Sequence, residues 1–312
     1  MTKAATAARS GWHWRTILFR VVAVASALAF LNLGGVTSIM VPWGDPGFPF
    51  RDFTPEIHRW HSAILGVTEA ILLPGLLLAL LWRPVERPLL MQFFIFVGVA
   101  LVVPHFLIRG RTPISSAFLV FPVLSYPALR SLLSFPRVVR PRGFPTPALA
   151  LIIVGPLAFD FWRNLQAQLT GIGGEHARHG HWATACSLDL VLAVMVLFAL
   201  SKAPGARALG WLAGISLVYL GIAAISLPEY AGSWGIFGGV LAIVGGLGLV
   251  GATWWVNRVP RVVNFSDSQM DDPRIHTKEH ESAFKKADVS RSFRQHSLQC
   301  SKASPQMSVI TS

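Results

Sequence analysis

Apolar residues in this chain come in long unbroken blocks, without the alternation of a half-buried strand or the single stripe of a surface helix. Such blocks predict helices in hydrocarbon, because a helix needs roughly 20 apolar residues to cross a layer about 30 Å thick. Eight are delimited: Thr16–Val41, Trp60–Trp82, Pro88–Ile108, Pro113–Leu129, Pro145–Leu169, His181–Leu200, Ala208–Leu227 and Ser233–Trp255. The fourth is the shortest and carries Pro122 and Pro127, so a re-entrant segment in a seven-span chain is the alternative to a full crossing. The first follows a basic, acid-free start and has small residues at Ala25–Ala29, but it outruns the apolar core of a cleaved signal peptide and reads as a retained helix.

A repeat organises these spans. Residues 61–90 align without gaps onto residues 181–210, with His61 on His181, Glu69 on Asp189, Pro84 on Pro204 and Arg87 on Arg207. The expected fold is therefore all-α, a transmembrane bundle of about eight spans built as two parallel four-helix repeats, as in some transporters. Residues 1–15 form a cytoplasmic N-terminal segment, 16–135 the first repeat, 136–262 the second, and 263–312 a polar, Ser-rich tail unable to bury a core.

Composition agrees with this division. The 312 residues are 53% hydrophobic and only 13% charged, against about 25% charged in soluble domains. The net charge of +12 is no nucleic-acid footprint, since the basic residues punctuate span ends. Lys3, Arg9, Arg15, Arg83, Arg87, Arg130, Arg137, Arg140, Arg142, Lys202, Arg207, Arg258 and Arg261 fall on one side of an eight-span chain. Asp45, Asp52, Glu56, Glu175 and Glu229 fall on the other, together with the two exceptions Arg109 and Arg111. The positive-inside rule then puts both termini in the cytoplasm of a cell membrane, the inner one in a bacterium. Cys186 and Cys300 lie in an apolar run and in the tail, and imply no disulfide framework.

The few charges inside the runs are the candidate chemistry. A carboxylate at mid-membrane costs roughly 2.5–3.5 kcal/mol on insertion scales. Glu69 and Asp189 each lie about 12 Å along a helix from His61 and His181. These four are expected to form a proton or ion relay, and Asp160 and Arg163 add an i, i+3 ion pair. Imidazole and carboxylate also suit zinc, copper or iron, so His58, His61, His105, Glu175, His176, His179 and His181 form a candidate metal set at the outer mouth. The two histidine-rich helix entrances are expected to face one another if the repeat is real. A transition metal or haem is a possible cofactor, and none is firmly implied.

Other features read as packing. Gly210-x-x-x-Gly214 and Gly235-x-x-x-Gly239 permit close helix approach. Trp43, Trp60, Trp82, Trp182, Trp211, Trp254 and Trp255 are expected in the interfacial belt. No nucleotide loop, Gly-x-Ser-x-Gly nucleophile or His-Glu-x-x-His helix occurs, so the chain leans away from an enzyme. The leading reading is a small transporter or proton/ion pathway. A membrane redox or metal-binding protein and an accessory subunit are the alternatives. The partners expected are the bilayer, other membrane proteins or a second copy, and no nucleic acid.

Overall fold

The computed structural model describes residues 3–44, 55–109, 117–133, 145–201 and 203–256, and among these there is no strand. The helices are α1 (Lys3–Phe30), α2 (Val36–Met40), α3 (Pro55–Gly66), α4 (Leu73–Leu80), α5 (Pro88–Arg109), α6 (Ala117–Ser125), α7 (Pro145–Thr170), α8 (Glu175–Arg178), α9 (His181–Ala199), α10 (Ala206–Ser226) and α11 (Gly235–Val256). A π-like segment at Leu31–Gly35, kinked at Gly34, joins α1 to α2, and a π turn at Val67–Leu72 joins α3 to α4. Seven helices are long and apolar enough to cross a membrane: Trp14–Met40, His58–Leu80, Pro88–Ile108, Ala148–Thr170, His181–Ala199, Ala206–Ser226 and Gly235–Trp255. They fit a multi-pass membrane protein. The polar tail, Asp45, Asp52, Arg111, Arg137, Arg140, Arg142, Lys202, Arg258 and Arg261 lie outside the described residues.

The fourth expected span does not form a full-length helix. Among the described residues of Pro113–Leu129 there is α6, nine residues with Pro122 inside it, followed by a short 3-10 segment at Leu129–Leu133. Proline removes a backbone donor and crowds the preceding turn. The segment still travels back along α5. Leu119 packs where a Cβ on Gly98 would point, mid-way down α5. The Tyr126 hydroxyl donates to the carbonyl of Pro84 at 2.8 Å, and Gln92 donates to the carbonyl of Leu132 at 2.9 Å.

Burial divides the helices by role. The α3–α4 helix, α5, α9 and α10 form a central ring in which α4 touches α5, α5 touches α9, α9 touches α10 and α10 touches α4. Leu72, Leu76, Leu90, Phe94, Leu192, Met195, Leu209 and Leu220 fill it. Outside it, α1 packs on α4 and α6, while α7 and α11 pack on α9, α10 and each other. These outer helices turn large apolar side chains outward, including Leu151, Phe159, Phe237 and Leu247, as hydrocarbon-facing helices do.

The bundle has two ends. At one, which we call the proline end, the Arg20 Nε donates to the carbonyl of Leu81, Gly205 abuts Leu90, and Gly210 abuts Thr253. The start of the first span and the close of the last described helix thus share this end. At the other, the histidine end, the Trp182 indole donates to the carbonyl of Ile172 at 2.9 Å and Gly232 abuts Trp60 and Trp182.

The tightest helix pair is α10 with α11, and glycine makes it possible. A Cβ on Gly221 would lie 2.5 Å from the carbonyl oxygen of Gly239, and one on Gly246 would lie 2.6 Å from that of Gly214. Gly235 meets nothing within 4 Å, so the expected Gly235/Gly239 face is replaced by the pairs Gly221–Gly239 and Gly214–Gly246. We expect Gly221→Val to push α10 off α11 and to destabilise the fold by about 1–3 kcal/mol, the usual penalty of overpacking. Thermal unfolding in detergent micelles checks this, with the exposed Gly251→Ala, whose Cβ meets nothing within 4 Å, as the unaffected control.

Candidate functional site

The two histidine-bearing entrances do face one another. α3 carries His58 and His61 one turn apart, while α8 and the start of α9 carry His176, His179 and His181. The His61 ring centroid lies 4.6 Å from His181 and 4.9 Å from His176. That of His58 lies 4.9 Å from His181 and is stacked on His176 at 6.0 Å. His176 and His181 are 5.5 Å apart, and His179 stands 5.9 Å from His181 at the rim. Four imidazoles from three helices therefore share one small volume. Indole walls it: Trp182 lies 5.4 Å from His61 and 5.3 Å from His176.

A short turn makes this possible. Gly171, Gly173, Gly174 and Gly180 all take left-handed backbone conformations, which lets the chain leave α7, form the single turn of α8 and enter α9 within ten residues. Gln168 ties the turn down, donating to the carbonyl of Ala177 at 2.9 Å and accepting from the amide of Ala183 at 3.3 Å. His61 is the deepest member, only 4% exposed, and neither ring nitrogen meets a hydrogen-bond partner among the described residues. Leaving a buried polar group unpaired costs about 1–3 kcal/mol, so such groups call for a functional reason.

The remaining candidates are placed differently. Glu175 pairs with Arg178 at 3.0 Å and His179 at 2.9 Å within α8, on the solvent side of the cluster. His105 binds the carbonyl of Leu101 in its own helix at 2.9 Å. Among the described residues, no three His, Cys, Asp or Glu side chains are arranged as a metal ion requires.

Asp160 anchors the second polar group. Its Oδ1 accepts from Arg163 at 2.5 Å, and its Oδ2 accepts from Asn164 at 3.0 Å and from the Trp234 indole at 2.8 Å. Asn164 also donates to Asp189 Oδ2 at 3.4 Å, bridging the two acids. Arg163 reaches on to the carbonyl of Gly232 at 3.0 Å. Asp160, Asn164 and Asp189 are all buried. The expected Asp160–Arg163 pair is present, and it belongs to a network containing Asp189.

Glu69 and Asp189 face different interfaces. A Cβ on Gly34 would lie 3.0 Å from Glu69 Oε2, so Glu69 points at the first span, while Asp189 points at α7. Each of these is the span that precedes the acid's own, and the π turn at Val67–Leu72 lies where Glu69 turns to the first span. A small pocket of about 10 Å³ lies where the α3–α4 helix, α5 and α9 meet, lined by Thr68, Thr184, Ser187 and the apolar side chains around them. The three hydroxyls donate to the carbonyls of Ile64, Gly180 and Ala183, so they offer lone pairs to the pocket. It holds about one water molecule.

Sequence reasoning missed Asn164, Trp234 and this pocket. Asn164 follows Asp160 by four residues on one helix face, a spacing that signals the bridge. Trp60 and Trp182, expected in the belt, are 1% and 6% exposed and pack inside the bundle, whereas Trp82 and Trp255 face outward. The chain matches no family model, no curated protein and no solved structure.

We expect Trp234→Phe, which keeps the ring but removes the donor to Asp160, to destabilise the protein by about 1.5–3 kcal/mol, as for a hydrogen bond to a charged group. Trp43→Phe, which loses only an exposed bond to Ser226, is expected to shift stability by less than about 0.5 kcal/mol. Denaturant titration in micelles compares the two.

Proposed function

We propose that this protein is a small membrane transporter or proton/ion pathway whose outer mouth is the cluster of His58, His61, His176 and His181. The observation that carries the reading is His61, a buried imidazole with two unpartnered nitrogens beneath three further imidazoles. Imidazole exchanges protons between pH 5 and 8.

Below the cluster, α9 carries His181 at its start and Asp189 two turns on. Asp189 and Asp160 share Asn164, and the guanidinium of Arg163 is the network's one cation among the described residues. Two carboxyl groups and one guanidinium are balanced by a single proton, which gives the network a charge to take up and release. Thr68, Thr184 and Ser187 supply a further cluster of acceptors at that depth, of the kind that orders water or a cation.

In this reading the α6 segment is the eighth crossing, and the proline end, with Arg15, Arg20, Arg83, Arg87, Arg130 and Arg207, faces the cytoplasm. The parallel repeat belongs to the same reading. In its support, each acid turns toward the span that precedes its own: Glu69 toward α1–α2 and Asp189 toward α7. The metal or redox alternative needs donors brought together by side-chain rotation, since the described residues hold no ready metal-binding group.

Proteoliposomes loaded with a pH-sensitive dye test the proposal. A pH gradient is expected to dissipate with wild type and to be slowed at least tenfold in His61→Ala and in Asp189→Asn. Wild-type flux equal to that of empty vesicles, or of both variants, overturns it. Metal content and visible absorbance of the same preparation decide the alternative: a stoichiometric metal or a haem band would replace the proton reading.

A further inference from the structure

A cavity of about 520 Å³ opens on the flank of the bundle between α7 and α11, with Leu217 of α10 at its back. Its walls are apolar for most of its length, and Gly155, Gly238 and Gly245 remove the side chains that would fill it. The polar groups Asp160, Arg163 and the indole of Trp234 gather at its histidine-end limit. From Arg163 to Ile152 on α7 the trough runs roughly 16 Å, close to half of a hydrocarbon layer about 30 Å thick.

That length and that polarity match one leaflet's depth of an amphiphile. Arg163 is half exposed, and both of its hydrogen bonds leave from Nη2, to Asp160 and to Gly232. Nη1 and Nε are thus clear of those bonds, in a geometry suited to a phosphate oxygen. The Asp160 carboxylate beside it is already met by three donors, which blunts its repulsion of an anion.

We infer that this trough is a lipid site: it takes one acyl chain of an anionic bilayer phospholipid from the leaflet at the histidine end, with the phosphate on Arg163. The site shares Arg163 and Asp160 with the polar network of the proton reading and uses none of the histidines.

Native mass spectrometry of the full chain, released from micelles doped with equal phosphatidylglycerol and phosphatidylcholine of the same chains, tests it. Wild type is expected to retain one phosphatidylglycerol, favoured at least fivefold over phosphatidylcholine. Gly155→Phe fills the trough, and a Cβ there meets nothing within 4 Å, so the variant is expected to fold with an unchanged unfolding midpoint and to lose the bound lipid at least tenfold. Arg163→Gln is expected to keep the chain but lose the preference for phosphatidylglycerol. Equal retention of both lipids by wild type, or undiminished phosphatidylglycerol on a folded Gly155→Phe, overturns the inference. Neither outcome bears on proton flux.

Discussion

A carboxylate inside a hydrocarbon slab has no water to turn to, so the chain itself must meet it with donors. Asp160 is met by Arg163 and Asn164 on its own helix and by Trp234 from the segment leading into α11. Much of the histidine end is positioned by this arrangement. Arg163 holds Gly232 as well, and Gly232 lies against Trp60 and against Trp182, the indole that flanks His61 and His176. Asn164 extends the same bonds to α9, the helix that begins at His181. The histidine-end parts of α7, α9 and α11 are thus fastened through Asp160 and Asn164.

What was legible in the sequence was whatever followed from helical period and membrane thickness. The long apolar blocks gave seven of the spans, and His58, His61, His176 and His181 were recognisable as two entrances that meet. The fourth span, marked in the sequence as the weakest by its length and by Pro122 and Pro127, is a nine-residue helix among the described residues, which fits a crossing and a re-entrant segment alike. Gly210, Gly214 and Gly239 lie in the close contact of α10 with α11 as their spacing suggests, whereas Gly235 meets nothing within 4 Å and the partners Gly221 and Gly246 depend on where the two helices cross. Trp60 and Trp182 sit at span ends like belt residues, and only the neighbouring helices reveal that they are covered.

The acids show the same limit. Asp189 and Glu69 occupy matching positions along matched segments, yet one joins α7 and the other faces Gly34. Depth is a property of residue number and could be read directly. Azimuth depends on every turn above it, and a π turn leaves no mark in hydrophobicity. The lipid-facing trough was illegible for a related reason: it is made of glycines on α7 and α11, which are distant in sequence and are brought side by side only by packing.

The two π-like segments lie against each other, with Gly35 close to the backbone of Glu69. The first is a kink, since Gly34 leaves the helical conformation (φ 168°, ψ −21°), whereas the second is equivalent to one surplus residue held in an otherwise α-helical rod. Winding Val67–Leu72 as regular α-helix with the same number of residues would swing one half of that span by about 100° relative to the other. Either the imidazoles or the leucines of the central ring would then face the wrong way. The surplus residue acts as a phase setting: it allows one continuous rod to present His61 to α9 at one level and Glu69 to the first span at the next. An insertion in this short stretch should therefore be far more disruptive than the loss of its one surplus residue.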